Sequence, residues 1–300
     1  MSTLPRPAAA AATGAAAGGT GAAGPAGSAP PPDDERPGGS GGRRSRTVAA
    51  HVLPPLLFAI AVLVVWQVGV RVTDTEESTL PAPTQVFSAM WDIRDLLLDN
   101  AWVTIKEILI GYAIAIVLGV GLAVLLASTL LAERAIYPWL VVSQMVPIPA
   151  IAPILVIWTG FDMRPKVIVI ALVSFFPIAV NMLDGLKSTD RELLNLLKTL
   201  GAGRWKRFRT AQLPSSLPFL FSGLKIAAAL AVIGAVFGEW VGADAGLGYL
   251  ILTLNNQVAT AEMFATVAVL AAIGIALFGL VRLAERLVMP WYHESRKESL

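Results

Sequence analysis

The sequence predicts an all-α integral membrane protein with six transmembrane helices, and two observations support this prediction. Hydrophobic residues make up 55% of the 300 residues and charged residues only 15%, with a mean hydropathy of +0.67. Soluble proteins average about 45–50% and about 25%, respectively. Apolar runs near the roughly 20 residues that a helix needs to cross a bilayer also recur along the chain. These runs are 52–70, 108–132, 135–161, 167–183, 213–238, which only Lys225 interrupts, and 263–281.

The first 47 residues are rich in Ala, Gly and Pro and contain almost nothing large and apolar to bury. They are predicted to form a disordered tail, a solvated segment rather than one that binds a membrane surface or a partner. The tail lacks the apolar stretch of a secretory signal, and the arginines 43, 44 and 46 before the first run indicate that it is cytoplasmic. Residues 48–292 form the predicted membrane domain, and 293–300 form a short cytoplasmic C-terminal tail.

The loop charges predict the orientation of the spans. Six spans place both termini on the same side of the membrane. Basic residues dominate 185–212, whereas acidic residues dominate 72–100 and 239–262. The basic segment is therefore predicted to be cytoplasmic and the acidic ones external. The turn before span four is an exception, because it should be external yet contains Arg164 and Lys166.

The segment between spans one and two has a helical pattern of its own. Leu80–Pro83 precedes Val86, Met90, Ile93 and Leu97 at helical spacing, with charged residues between them. Two interpretations remain open: an amphipathic helix in the outer membrane interface, or an outward extension of span two.

Spans two and five contain small residues at every fourth position, a pattern that lets helix backbones approach closely in lipid. The positions are Gly111, Ala115, Gly119, Ala123, Gly234, Gly238, Gly242 and Gly246, the last two beyond the apolar run. These stripes are predicted to be packing faces.

The composition excludes several kinds of chemistry. Without cysteine the chain has no disulfide, thiolate metal site or cysteine nucleophile, and its two histidines, His51 and His293, disfavour a metal centre or a catalytic triad. No phosphate-binding loop is found. The ionisable candidates in the spans are Lys225 and Glu239, both near span ends, where they can snorkel to the interface. No paired carboxylates are expected within the spans, which disfavours an ion-coupled carrier.

Span three contains three prolines, at positions 147, 149 and 153, that remove backbone donors at membrane depth. Freed carbonyls are tolerated there only where protein or a water-filled cavity covers them. Spans three to five are therefore predicted to line a polar path, although the polar side chains could equally serve only to satisfy kinked helices. The residues assigned to the path are Ser143, Gln144, Pro147, Trp158, Asn181 and Glu239.

The basic loop 187–212 is predicted to protrude as a helical knob. A helix over about 190–200 should end at Gly201, a residue that favours helix C-termini. A second short basic helix with Trp205 and Phe208 should follow before Leu213 and Pro214. A helix lying on the membrane surface is the alternative.

This loop resembles that of the membrane subunits of binding-protein-dependent ABC importers. Their motif is Glu-Ala-Ala, three residues, Gly, nine residues, an aliphatic residue, any residue and Leu-Pro. Gly201 and Leu213-Pro214 stand at the matching spacing, with Ala211 at the aliphatic position. The Glu-Ala-Ala positions hold Asn195, Leu196 and Leu197, a departure from the motif.

The resemblance implies the architecture of a type I ABC importer permease, in which this loop is a coupling helix that docks on a separate ATPase. The implied coupling residues are Glu192, Asn195, Leu196, Leu197, Gly201, Trp205, Phe208, Leu213 and Pro214. The implied partners are an ABC ATPase that uses ATP and Mg, a second permease copy in a homodimer, and an extracytoplasmic solute-binding protein in a bacterial cell membrane. No cofactor bound by this chain and no nucleic acid partner are implied.

Further motifs at 80–83, 147–153, 175–177, 213–218 and 238–249 look like the nitrate, sulfonate and taurine branch of these permeases. Two segments, 221–227 and 236–243, resemble a sub-branch that imports pyrimidine precursors of thiamine or riboflavin-like compounds. The implied function is a translocation path for a small polar solute. A gradient-driven secondary carrier and a non-transporting membrane scaffold are the alternatives.

Overall fold

The computed structural model describes the backbone of residues 42–290 and the side chains of residues 53–290. Most of the predicted N-terminal tail and all of the predicted C-terminal tail, 293–300, lie outside these residues. Within the described range the chain is helical and contains no strand. The helices are α1 (Gly42–Val72), α2 (Pro83–Asp92), α3 (Arg94–Ser128), α4 (Leu130–Ser143), α5 (Ile148–Thr159), α6 (Met163–Lys187), α7 (Arg191–Thr199), α8 (Arg204–Arg207), a π segment (Phe208–Gln212), α9 (Leu213–Trp240), α10 (Leu247–Asn256) and α11 (Thr260–Val288).

Five stretches of the described chain are long and apolar enough to cross a membrane as single helices. They are 53–72 of α1, α3, α6, the continuous stretch 204–240 and α11. They confirm five of the six predicted spans, with extensions at several ends. The stretch 204–240 begins earlier than predicted because the π segment joins α8 to α9 without a break.

The predicted third span is not one helix. It consists of α4 and α5, which meet at an angle of 97°. The break follows from Pro147, which precedes α5 in an extended conformation, and from Pro149, which occupies the first turn, where its missing N–H costs no hydrogen bond. The three prolines predicted a distorted helix in this span, and the structure has its break there. They did not predict how sharp the bend is.

Contacts at its two ends show that this bent pair crosses the bundle. Lys187 Nζ at the end of α6 lies 2.5 Å from a carboxylate oxygen of Glu133 at the start of α4. At the opposite end of α6, Lys166 Nζ lies 3.0 Å from Glu107 of α3. Phe161, which follows α5, lies against Gly242 just after α9. The pair therefore joins opposite ends of the bundle and counts as one span, which gives six spans in the part of the chain that the structure describes.

We name the two ends by their residues. The loop end contains the C-terminus of α3, the start of α4 and the segment 187–212, which Lys187–Glu133 and an Arg204–Ser128 hydrogen bond tie together. The carboxylate end contains Glu107, Lys166 and Glu239 together with α10.

Helix α6 packs between α3 and α9 at the centre of the bundle. The stripe of small residues in α3 is confirmed as a packing face, because a Cβ on Gly111 would lie 2.6 Å from Ile170 Cγ2 of α6. In α9, a Cβ on Gly234 would similarly lie 3.1 Å from the Ile170 backbone. Gly242 and Gly246 extend beyond this face and have φ values of +76° and +119°, so they shape the turn into α10.

The segment before α3 combines the two interpretations left open by the sequence. Helix α2 is a separate element that ends at Asp92; it contacts α11, and its residue Val86 is buried. Its Phe87 and Trp91 are exposed. Residues from Arg94 onward instead extend the second span outward as the first turns of α3.

Candidate functional site

The loop 187–212 forms the knob that the sequence predicts. Helix α7 begins where the Asp190 carboxylate accepts a hydrogen bond from the Glu192 N–H at 2.8 Å. It ends at Gly201, whose φ of +79° is left-handed. The Gly201 N–H donates to the Lys198 carbonyl at 3.0 Å and the Ala202 N–H to the Leu197 carbonyl at 2.9 Å. This is a C-terminal cap of the kind that glycine makes possible, so the predicted helix end is confirmed.

The predicted second helix of the loop is not a separate element. Helix α8 passes through the π segment into α9, and the Leu213 N–H donates to the Phe208 carbonyl five residues earlier. This wider turn brings Pro214 into the first turn of α9, where its missing N–H is tolerated. The loop is thereby continuous with a stretch of 37 residues, Arg204–Trp240, that reaches the carboxylate end.

The outer surface of the loop is apolar and exposed. No residue of α7 is buried. Leu196 is 57% exposed, Leu200 73% and Trp205 72%. Large apolar side chains that stand free beyond the spans are typical of surfaces that bind another protein. The predicted coupling residues divide into exposed ones, which are Glu192, Asn195, Leu196, Gly201 and Trp205, and partly buried ones, which are Leu197, Phe208, Leu213 and Pro214.

The partly buried residues anchor the loop to the spans. Phe208 and Leu213 pack against an apolar cluster that includes Leu126 of α3 and Met182 of α6. Arg204 donates a hydrogen bond from Nη2 to the Ser128 carbonyl at the end of α3, at 2.8 Å. The base of the knob is therefore packed against α3 and α6 and is continuous with α9.

The residues assigned to the path fall into separate places. Ser143 and Gln144 line a small cavity of about 90 Å³ at the break between α4 and α5, together with Phe175 of α6. Pro147 and Trp158 are exposed on the flanks of α5. Asn181 is half-buried, and its amide donates to the Pro177 carbonyl at 2.8 Å within α6. Of the residues assigned to the path, only Ser143 and Gln144 line the same cavity.

Glu239 is buried among hydrogen-bonding partners, which corrects the expectation that its side chain snorkels to the interface, while its assignment to the path stays a prediction. It is 1% exposed. Thr104 donates to its Oε1 at 2.6 Å, and the Gly248 N–H donates to its Oε2 at 2.5 Å. The neighbouring N–H groups of Gly246 and Leu247 donate to Asn100 Oδ1 and Thr104 Oγ1, both at 2.8 Å. Together these side chains cap the N-terminus of α10.

A second carboxylate lies beside Glu239, contrary to the prediction that no paired carboxylates occur within the spans. Glu107 of α3 is adjacent to Glu239 and pairs with Lys166 of α6 at 3.0 Å, all three being buried. Buried charges require such partners. The sequence contained a signal for this pair, because Glu107 and Lys166 each stand one residue before an apolar run, 108–132 and 167–183.

Lys225 also differs from its expected behaviour. Its Nζ lies 3.0 Å from both carboxylate oxygens of Glu285 on α11, so it forms an ion pair instead of reaching the membrane interface. This pair fastens α11 to α9.

Comparison with known proteins finds relatives over most of the chain. The model of a family described as "Binding-protein-dependent transport system inner membrane component" matches residues 115–292. A formylaminopyrimidine transport permease protein of Halalkalibacterium halodurans is 40% identical over 240 residues, which are 80% of this chain and 96% of that protein. A riboflavin transport system permease protein of Chloroflexus aurantiacus is 36% identical over 231 residues, 76% of this chain and 86% of that protein.

More distant similarity extends to a putative aliphatic sulfonates transport permease protein of Bacillus subtilis, 26% identical over 238 residues, 79% of this chain and 86% of that protein. Among solved structures, a chain of an amino acid ABC transporter has a TM-score of 0.54 at 17% identity, covering 67% of this chain and 97% of that one. A chain of an inward-facing methionine ABC transporter has a TM-score of 0.54 at 19% identity, covering 64% and 97%. These structures share the fold.

Proposed function

The chain belongs to the family of binding-protein-dependent transport system inner membrane components, as its loop spacing predicts, and from that premise we propose how it works and what it transports. It is the permease subunit of an ABC importer, an all-α protein of the type I permease fold in a cell membrane. ATP hydrolysis belongs to a separate ATPase subunit that uses ATP and Mg, and this chain binds no cofactor. The proposed orientation has the loop end in the cytoplasm.

The exposed apolar face of the knob supports the ATPase as its partner most strongly. Leu196 on α7 and Leu200 at its C-terminal cap are exposed on a helix that is capped at both ends and buries none of its own residues, and Trp205 follows, exposed, on α8. A short, preformed helix with unpartnered apolar side chains suits insertion into a groove of another protein. Asn195 replaces the usual glutamate here, so the apolar contacts rather than that charge provide the docking.

The continuity of the stretch 204–240 supports a mechanism of coupling. Closure of the ATPases moves the knob, and the Arg204–Ser128 hydrogen bond and the packing of Phe208 transmit that movement to α3 and α6. The same continuous stretch contains, one residue before its end, Glu239, which caps α10 at the carboxylate end. Movement at the loop end thereby changes access at the other end, where an extracytoplasmic binding protein releases solute.

A second copy of the permease completes the path in this proposal. The cavity at the break between α4 and α5 contains Ser143 and Gln144, and the prolines on α5 expose polar backbone there. Polar backbone at membrane depth requires a protein or water-filled surface facing it rather than lipid. A homodimer that pairs these breaks supplies that surface.

The proposed solute is a small nitrogen heterocycle, a pyrimidine precursor of thiamine or a flavin. The supporting observation is that permeases named for formylaminopyrimidine and riboflavin are 40% and 36% identical to this chain, whereas one named for aliphatic sulfonates is 26% identical. Sulfonate or nitrate transport is the alternative.

The test is reconstitution of this chain with its ATPase and binding protein in proteoliposomes. We expect ATP-dependent uptake of labelled formylaminopyrimidine. An excess of unlabelled aliphatic sulfonate should not reduce this uptake. Vesicles without the ATPase provide the control. Uptake that follows an ion gradient in those vesicles contradicts the importer mechanism, and competition by the sulfonate alone contradicts the solute class.

A further inference from the structure

A cavity of about 630 Å³ opens at the loop end, between the turn that joins α3 to α4 and the start of the stretch 204–240. Its polar lining residues are Arg204, Arg207, Gln212, Ser128 and Thr129. None of the residues that line the cavity is acidic, and neither arginine forms an ion pair with a carboxylate in the described part of the chain. The cavity therefore presents positive charge that the described residues leave unneutralised.

The donors of the two arginines are arranged to take an anion. Arg204 is held in place by its hydrogen bond from Nη2 to the Ser128 carbonyl, which leaves its other N–H groups available. Arg207 Nε is buried and has no hydrogen-bond partner among residues 53–290. A buried donor without a partner is unfavourable, and a guanidinium matches a phosphate group with two parallel hydrogen bonds. Trp205 and Phe208 stack at 5.6 Å beside these charges.

The cavity also has an apolar lining. Val124 and Ala127 of the last turns of α3 and Leu186 of the last turn of α6 form it. Both helices are membrane spans that end within a few residues of these positions. The cavity therefore lies where the apolar core of a bilayer gives way to its headgroups, and it has both apolar and cationic lining residues.

We propose that this cavity binds the phosphate of an anionic phospholipid, with Arg204 and Arg207 on the phosphate and the start of an acyl chain along Val124 and Leu186. Basic pockets between the ends of transmembrane helices take such headgroups. The site is independent of the solute path, and it fastens the base of the knob to one leaflet of the membrane.

The test uses the full-length protein, delipidated in detergent, with bound lipid counted by native mass spectrometry. Phosphatidylglycerol should bind as one retained lipid per chain, and phosphatidylcholine should bind about tenfold more weakly. Arg207→Gln should reduce phosphatidylglycerol binding about tenfold. Arg209→Gln is the matched control, since Arg209 is exposed in the same segment but does not line the cavity, and it should leave binding unchanged.

A second variant measures the same lipid binding without removing an arginine, and it serves if Arg207→Gln fails to fold. Ala127→Phe fills the apolar part of the cavity without changing charge and should also abolish the retained lipid. Equal losses in Arg207→Gln and Arg209→Gln would show that diffuse loop charge holds the lipid and would overturn the proposal. Displacement of the lipid by millimolar inorganic phosphate would assign the site to a soluble phosphate instead, and an absence of retained phosphatidylglycerol would likewise overturn it.

Discussion

At the carboxylate end, Thr104, Glu107, Lys166 and Glu239 are all buried and bond one another and the N-terminus of α10, although Glu107 Oε2 has no hydrogen-bond partner in the described chain. At the loop end, α7 buries nothing, Leu196 and Trp205 are exposed, and an arginine nitrogen lacks a partner in the described chain. The first region finds its ion-pair and helix-capping partners within one chain. The second leaves its apolar and charged groups for other molecules to cover. The same bundle thus has a buried polar network at one end and an exposed docking surface at the other. Variants at the carboxylate end should lose stability, whereas variants at the loop end should lose coupling or partner binding.

The largest effect on stability is expected at Lys166. Lys166→Met leaves Glu107 and Glu239 adjacent and buried without their cation. Breaking a buried ion pair in this way costs about 3–5 kcal/mol. The measurement is the free energy of unfolding in mixed micelles. Lys206→Met, at an exposed lysine of α8, is the control and should change it by no more than about 0.5 kcal/mol.

A double variant distinguishes loss of a partner from loss of packing at this site. Adding Glu107→Leu to Lys166→Met removes the orphaned carboxylate, and part of the lost stability should return. A double variant as unstable as the single one would contradict the ion pair as the cause.

A smaller loss is expected where α10 meets Glu239. Gly246 has a φ of +119°, and a Cβ there would collide with the Glu239 carboxyl group. Gly246→Ala should therefore destabilise the protein by about 1–3 kcal/mol. Gly121→Ala in α3 is the matched control, since a Cβ there meets nothing within 4 Å, and it should be neutral or slightly stabilising. Equal losses of stability in Gly246→Ala and Gly121→Ala would contradict the contact between Gly246 and Glu239 as the cause.

At the loop end a substitution should alter coupling more than stability. Gly201→Val forces a β-branched residue into a φ of +79°, although no atom lies within 4 Å of its Cβ. The expected cost is about 1–2 kcal/mol, confined to the end of α7. ATP hydrolysis should continue while uptake falls. Gly201→Asn, which tolerates this conformation better, should keep more uptake, and normal uptake with valine would contradict the role of the cap.

Features that depend on local chemistry were predictable from the sequence. The spans follow from hydropathy, and the end of α7 at Gly201 follows from a residue that adopts a left-handed conformation without strain. The packing faces of α3 and α9 follow from small residues at every fourth position. Each of these depends on neighbours within a few positions along the chain.

Features that depend on which helices meet were not predictable. Glu107 and Lys166 lie 3.0 Å apart only because α3 and α6 pack side by side, and the order of spans does not specify that contact. Lys225 pairs with Glu285 for the same reason. The 97° bend between α4 and α5 also depends on the bundle, because prolines permit a break but do not set its angle.

The most direct test of the difference between the two ends is retention of the ATPase by tagged full-length variants expressed in the native host, quantified by mass spectrometry. Leu196→Glu places a charge on the exposed face of α7, and Leu98→Glu places the same charge on an exposed leucine of α3, near the carboxylate end. We expect Leu196→Glu to fold normally and to retain about tenfold less ATPase. Leu98→Glu should retain the wild-type amount. Equal retention by both variants would contradict the assignment of the loop end as the docking surface.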